Sequence, residues 1–206
     1  MKVGPKYKIA KRLGASVFEK TQSQKFAIAQ ERRAPVRRGR GRGPTEYGRQ
    51  LLEKQKVRIT YGLTERKFSD YVRQSMAHKS SKDTTPAEML HRLIETRLDN
   101  VVYRLGLAPT RFASRQMVSH GHITVNGRKT TVPSREIRVG DVISVREGSR
   151  KRALFDNFEE RAAERRLASW LEFDAKKLSG GITQLPTTES AEPAGDLSAV
   201  LSFYSR

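Results

Sequence analysis

The stretch 85-TPAEMLHRLIETRLDNVVYRLG-106, continued after Leu107-Ala108-Pro109 by 110-TRFASRQMVSHGHITVNGRK-129, carries the decisive pattern of the chain. Thr85 as N-cap, Pro86 at the first helical position and Glu88 two residues on form a capping box, which satisfies two backbone donors at a helix start. Leu90, Leu93, Ile94, Leu98, Val101, Val102 and Leu105 recur at three- and four-residue intervals, so the spacing predicts one helix running to Gly106, a residue suited to a left-handed stop. Thr110 then caps a shorter helix ending at Gly121. At 100° per residue its Ala113, Met117 and Val118 share one side, while Arg111, Arg115 and Ser119 share another with Gln116 nearby. Beyond it the period drops to two: Ile123 and Val125 alternate with His122 and Thr124, and Asn126-Gly127 marks a type I′ hairpin turn that Arg128 and Lys129 follow. After Pro133, Ile137 and Val139 lead into the turn Gly140-Asp141 and a strand over Val142 to Val145. The unit reads helix, helix, hairpin, strand.

Working outward, Thr45 to Gly62 shows helical spacing of Tyr47, Leu51 and Leu52, with Lys54, Lys56 and Arg58 on its flanks. Thr64 caps a second helix whose Phe68, Tyr71, Val72 and Met76 form a core-facing stripe. Ser80 to Thr84 has the composition of a polar linker. On the other side, a charge-mixed helix is expected from Leu154 to Leu167, then an aromatic cluster of Trp170, Leu171 and Phe173. Ser179 to Gly195 has the composition of a linker. Asp196 caps a last helix whose stripe of Leu197, Val200, Leu201 and Tyr204 must be covered, and the early helices are the expected cover.

The 206 residues carry 41 Lys and Arg against 22 Asp and Glu, a formal charge of +19, with 36% apolar residues and a mean hydropathy of -0.67. Such a chain buries a modest core and points to a polyanionic partner. The charge is unevenly spread: residues 1–50 carry 14 basic and 3 acidic side chains, residues 97–148 carry 9 and 4, and residues 149–206 carry 9 of each. Arg32, Arg33, Arg37, Arg38, Arg40 and Arg42 alternate with Gly and Pro in a segment unable to bury apolar area. It is expected to be an extended arm that orders against phosphates, although the same composition also fits a solvated tail or a localisation signal. No apolar run exceeds Phe26 to Ala29, so neither a bilayer span nor a secretory leader is expected, which points to a cytoplasmic protein. Without cysteine there are no thiolate sites, and His120-Gly121-His122 has no third ligand nearby, so no metal and no cofactor is expected.

Arg97 to Gly106, Thr110-Arg111, Arg115-Gln116, Ser119 to Ile123 and Val125-Asn126-Gly127, continued by Pro133-Ser134 and Gly140-Asp141, resemble the RNA-binding module of ribosomal protein S-four. The module also occurs in some pseudouridine synthases, tyrosyl-tRNA synthetases and heat-shock proteins. Two flanking matches narrow the resemblance. Tyr47-Gly48, Gln50-Leu51, Glu53 to Arg58, Tyr61-Gly62 and Glu65-Arg66 are similar to the helical region before the module in bacterial S-four proteins. Trp170-Leu171-Glu172 and Tyr204-Ser205-Arg206 are similar to their tail. Lacking the four-cysteine knuckle of many members, the chain resembles the zinc-free branch.

The resemblance implies an α+β fold: a helical domain built from both ends of the chain, with an inserted RNA-binding domain of two helices packed on a short antiparallel sheet. The expected divisions are a basic arm over 1–44, helical domain over 45–95, RNA-binding domain over 96–150, and over 151–206 a helix, a linker and a final helix returning to the helical domain. It further implies a primary 16S ribosomal RNA binder that organises the 5′ domain early in small-subunit assembly. Members also contact ribosomal protein S-five at an interface linked to decoding accuracy, and lie near the mRNA entry channel. The residues expected on RNA are Arg37, Arg38, Arg40, Arg42, Tyr47, Lys54, Lys56, Arg58, Arg66, Thr110, Arg111, Arg115, Gln116, Ser119, His120, Arg128 and Lys129. Recognition by such a set is mainly of backbone and shape.

Other classes fit less well. An RNA-modifying enzyme with this module needs a further catalytic domain of roughly 200 residues, and neither a G-x-S-x-G elbow nor an H-E-x-x-H motif is present. Gly121 to Thr130 departs from a phosphate-binding loop by spacing, by Arg where Lys belongs and by the hairpin that replaces the helix. A chaperone of stalled ribosomal complexes would share the module but not the flanking matches.

Overall fold

The computed structural model describes residues 4–31, 45–77, 84–150, 152, 155, 167–189 and 194–205. They form two compact units: residues 1–90 with 193–206, and residues 91–192. The expected arm arginines, the linker at 80–83 and most of the expected helix at 154–167 lie outside the described residues.

The first unit is helical. It contains α1 (Lys6–Leu13), a 3-10 turn (Glu19–Thr21), α2 (Gln24–Glu31), α3 (Glu46–Thr60), α4 (Glu65–Ala77) and the C-terminal helix Leu197–Tyr204. Thr45 caps α3 by accepting the Gly48 N–H at 3.2 Å, and Asp196 caps the C-terminal helix through the Ala199 N–H at 3.0 Å. That helix packs on α3 and α4, burying Leu197 and Val200. The expectation of a basic arm over 1–44 is corrected for its first part. Residues 4–31 are folded, because Ala10, Phe18 and Phe26 supply apolar anchors that become fully buried despite the surrounding lysines. Met76 is also corrected: it is 39% exposed, whereas Phe68, Tyr71 and Val72 of the same stripe are buried.

Helix α5 (Pro86–Glu95) begins with the expected capping box, in which Thr85 Oγ1 accepts from the Glu88 N–H at 3.2 Å and the Glu88 carboxylate accepts from the Thr85 N–H at 3.0 Å. It does not continue to Gly106. Arg97 is extended (φ -62°, ψ 137°), and a separate α6 (Leu98–Arg104) follows. The break is imposed from a distance. Segment 133–137 supplies carbonyls to the N–H groups of Leu98 and Asp99 at 2.8 and 3.1 Å, and the Ile137 N–H donates to the Thr96 carbonyl at 2.9 Å. Periodicity is blind to this, since the apolar stripe passes through the break in phase.

The second unit adds α7 (Arg111–Ser119), β1 (Ile123–Val125), β2 (Arg128–Lys129), β3 (Val142–Val145), the single turn α8 (Glu147–Arg150), β4 (Leu171–Asp174) and β5 (Ser179–Ile182). The sheet is antiparallel throughout with order β2-β1-β3-β5-β4. Asn126 (φ 50°) and Gly127 (φ 75°) make the expected turn between β1 and β2. Leu98, Val101, Val102, Met117, Val118, Ile123, Ile143 and Trp170 close the core.

The α+β class with a small antiparallel sheet is as expected, but the sheet is larger. Residues 171–182 belong to it, which corrects both the linker reading of Ser179 onward and the end of the RNA-binding domain expected at 150. Gly180 and Gly181 disguised β5. A Cβ at 180 would collide with the Glu172 carbonyl and the side chains of Phe173 and Leu105, so the close approach of strand and core requires glycine there. Strand β1 departs from alternation as well. His122 and Thr124 are buried like their neighbours, with Thr124 Oγ1 2.7 Å from Ser144 Oγ.

Candidate nucleic-acid interface

Helix α7 is the centre of the site. Thr110 Oγ1 accepts the Ala113 N–H at 3.0 Å, capping the helix without a reciprocal carboxylate. Ser114 is buried, and its hydroxyl donates to the Asp99 carbonyl at 2.6 Å, fixing α7 against the start of α6.

Two buried acids hold the arginines. The Asp99 carboxylate accepts from Arg97 at 2.8 and 3.0 Å and from Arg115 Nε and Nη2 at 2.9 and 2.8 Å. Glu95, fully buried, accepts from Arg104 at 2.6 and 3.0 Å and from the Asn100 amide. Asn100 Oδ1 in turn accepts from Arg111 Nε at 2.9 Å, and the Arg111 guanidinium lies 4.4 Å from the Tyr103 ring centroid. The buried Asp99 carboxylate thus pre-orients Arg115, and the Asn100 amide, itself held by Glu95, pre-orients Arg111; both stay half-buried while Gln116, Ser119 and His120 are exposed on the same helix or its end.

The chain then turns at Gly121 (φ 73°), over which the Lys129 side chain lies so closely that a Cβ would overlap it. The Lys129 side chain thus lies over the turn that ends α7. Arg128 sits on the hairpin turn, whose geometry is locked by Asn126: its amide donates to Asp141 at 2.7 Å and its carbonyl oxygen accepts the Val142 N–H at 2.8 Å. The Arg138 N–H bonded to Asp141 is the main force holding that carboxyl below its usual range, with Asn126 adding to it. His122 is buried, with Nδ1 2.9 Å from Ser149 Oγ. Burial pushes its pKa below the ordinary imidazole value, and the charges of Arg152, His120, Arg146 and Lys129 push it further.

The cations expected on RNA in the first unit meet a different fate. Lys54 is only 7% exposed; its ammonium contacts Glu65 at 2.6 Å and lies 4.4 Å from the Phe203 ring centroid. The expectation that Lys54 contacts RNA is therefore corrected: its charge is committed to joining α3, α4 and the C-terminal helix. Arg58 lies 3.4 Å from Glu65 and bonds Gln55 at 2.6 Å, and Lys56 lies 3.3 Å from Glu53. Tyr47 is 51% exposed with its ring 5.4 Å from that of Phe203, and Arg66 is exposed. Arg37, Arg38, Arg40 and Arg42 lie outside the described residues.

The sequence reading missed Glu95, Asp99 and Asn100 as the groups that position the arginines. Asp99 and Asn100 lie within the quoted motif, and an acid and an amide on an otherwise apolar helix face were the available signal. Among the described residues, no three His, Cys, Asp or Glu side chains gather to hold a metal ion, and no helix is long and apolar enough to cross a membrane. The arrangement presents donors and positive charge, chemistry suited to grasping a polyanion.

Comparison with known proteins places the same residues in a family context. Residues 2–95 match the family model described as the ribosomal protein S4/S9 N-terminal domain, and residues 96–143 match that of the S4 domain. Proteins named small ribosomal subunit protein uS4 are similar along almost their whole length. That of Roseiflexus castenholzii is 44% identical, covering 99% of this chain and 98% of its own. That of Lactiplantibacillus plantarum is 42% identical over 98% and 97%. That of Chloroflexus aurantiacus is 41% identical over 99% and 98%.

Proposed function

This chain belongs to the uS4 family of small ribosomal subunit proteins, and we propose that it binds the 5′ domain of 16S ribosomal RNA and nucleates assembly of that domain. Membership makes it a structural component of the small subunit rather than an enzyme. The observation that carries the RNA reading is the pre-oriented pair Arg111 and Arg115 on α7, flanked by exposed Gln116, Ser119 and His120 and by Lys129 over Gly121. A guanidinium already fixed by a buried acid loses less side-chain freedom when it meets a phosphate. The short polar groups beside it are suited to sugar hydroxyls and backbone oxygens. In the subunit, the helical unit would meet ribosomal protein S-five at a surface that influences decoding accuracy, close to the mRNA entry channel; family resemblance supports this part.

Binding to naked 5′-domain RNA tests the reading. Arg111→Ala with Arg115→Ala is expected to weaken it, and because both arginines brace buried groups, the melting of the variant is measured alongside. Gln116→Ala with His120→Ala changes exposed groups only and is also expected to weaken binding. If both pairs bind like wild type at about 0.2 M salt, α7 has no part in recognition.

A further inference from the structure

Residues 149–206 are electrically neutral as a segment, yet the sheet sorts their charges in space. In the register, Ile123 pairs with Val145, Ser144 with Ser179, and Ser179 with Asp174. One end of the sheet is therefore formed by the start of β1, the end of β3 and the turn joining β4 to β5, with Lys129 of β2 one position inside, opposite Thr124. His120 and His122 lead into β1 there, and Arg146, Arg150 and Arg152 leave β3. Lys176 and Lys177 occupy the β4–β5 turn. The acidic side chains on these same turns are Glu147 and Asp174.

The turn presents its lysines in a fixed way. Asp174 Oδ1 accepts the backbone N–H of Lys176 at 3.0 Å and of Lys177 at 3.1 Å, Leu178 takes a left-handed conformation (φ 49°), and its carbonyl accepts the Val145 N–H at 3.1 Å. Both lysines are exposed, as are Lys129, Arg146, Arg150 and Arg152. At the other end of the sheet, Asp141 accepts the Arg138 N–H at 2.9 Å and lies within the charges of Arg135 and Arg138.

We propose that this end of the five-stranded sheet, carried by Arg146, Lys176 and Lys177, extends the RNA-backbone contact of the α7 face, with Lys129 shared by both. The cations extend from β2 to the β4–β5 turn, about 17 Å at roughly 4.8 Å per strand. A line of that length matches a chain of repeating phosphates, whereas a single anion would need the charges to converge on one point. Rigid turns carrying Lys and Arg are suited to backbone positioning without reading bases. This inference rests on the RNA-binding reading above. It extends the contact surface to β4 and β5, beyond residues 96–143 matched by the S4 domain model.

The test compares the salt dependence of binding to naked 5′-domain RNA for wild type, the triple variant Arg146→Gln/Lys176→Gln/Lys177→Gln, and Arg138→Gln at the opposite end of the sheet. Each lost phosphate contact lowers the slope of log affinity against log salt by about 0.7–0.9. The triple variant is expected to lose about 2–3 units of slope and roughly tenfold or more in affinity at about 0.2 M salt, with its melting unchanged. It is also expected to lose backbone protection of one RNA segment in hydroxyl-radical footprints. Arg138→Gln is expected to leave slope and footprint as they are. A triple variant with wild-type slope overturns the proposal, and so does an equal loss per charge for Arg138→Gln, which would report net charge alone. Failure of the broader reading looks different, because the wild-type protein itself would then show no salt-dependent binding to this RNA.

Discussion

Lys54 and Arg115 both stand out in the sequence as cations on helices, yet the two units use them in opposite ways. In the helical unit, Lys54 is buried while its partner Glu65 is 48% exposed, so the acid faces outward and the base is consumed within the fold. In the second unit the order is reversed. Asp99 and Glu95 are buried, with side chains 6% and 0% exposed, and Arg115 and Arg104 reach outward from them with 27% and 23% exposure. The position of the acid decides whether a cation is a strut or a presented hand. A buried carboxylate beneath an arginine anchors it without removing it from the surface.

The sharpest way to break this contrast is to remove the two acids. Glu95→Ala leaves Arg104 and the Asn100 amide without their buried acceptor, and removing one partner of a buried pair costs about 3–5 kcal/mol; partial exposure of Arg104 points to the lower figure. Glu65→Ala takes the acceptor from the buried Lys54 ammonium and from the Tyr204 hydroxyl, but Glu65 itself is half-exposed, so a smaller cost of about 1–3 kcal/mol is expected. Denaturant melts measure both, and hydrogen exchange locates the loss, which for Glu95→Ala is expected in α6 and α7. Comparable losses for the two variants would erase the distinction between the units.

A smaller effect separates the two arginines that share Asp99. Arg97 is buried and Arg115 partly exposed, so Arg97→Ala is expected to cost about 2–3 kcal/mol and Arg115→Ala about 1 kcal/mol. RNA affinity should move the other way, falling more for Arg115→Ala once both variants are compared at a temperature where they remain folded. If affinity tracks stability across the pair, Arg115 acts only through the fold.

Local chemistry was legible in the sequence wherever it decided the outcome. The capping box at Thr85, the caps Thr110 and Asp196, and the Asn126-Gly127 turn are all settled within three or four residues of themselves. What stayed hidden depended on partners distant in the chain. The break at Thr96-Arg97 is made by carbonyls from 133–135, and β5 required glycines because β4 and Leu105 crowd it. For the site, α7 and its exposed groups were readable from helical phase, because a face is a property of one helix. The commitment of Lys54 was not, since Glu65 and the terminal aromatics approach it from other elements. Charge counts over consecutive residues likewise hid the folded state of residues 4–31, where three apolar anchors outweigh the dispersed lysines.

The smallest effect concerns pH and the Lys54 strut. Burial by itself would raise the Glu65 carboxyl, but hydrogen bonds from Lys54 and Tyr204, with the charges of Lys54 and Arg58, hold it below its ordinary 4.5. Burial and the Glu65 carboxylate together push the Tyr204 phenol well above its usual range, so it stays a donor at every working pH. A carboxyl whose pKa is lowered on folding adds stability that is fully present above its unfolded value and is lost as pH falls through the folded value. Wild-type stability should therefore decline below about pH 4.5 partly through this group, and Lys54→Met should flatten that part of the acid limb while costing under about 1 kcal/mol at neutral pH. Urea melts across pH 3–6 would show it. Identical acid limbs would mean that Lys54 does not stabilise the ionised acid, whereas a flattened limb with unchanged RNA affinity is the behaviour of a strut. Such a residue supports the helical unit from within and leaves RNA to cations that reach the surface.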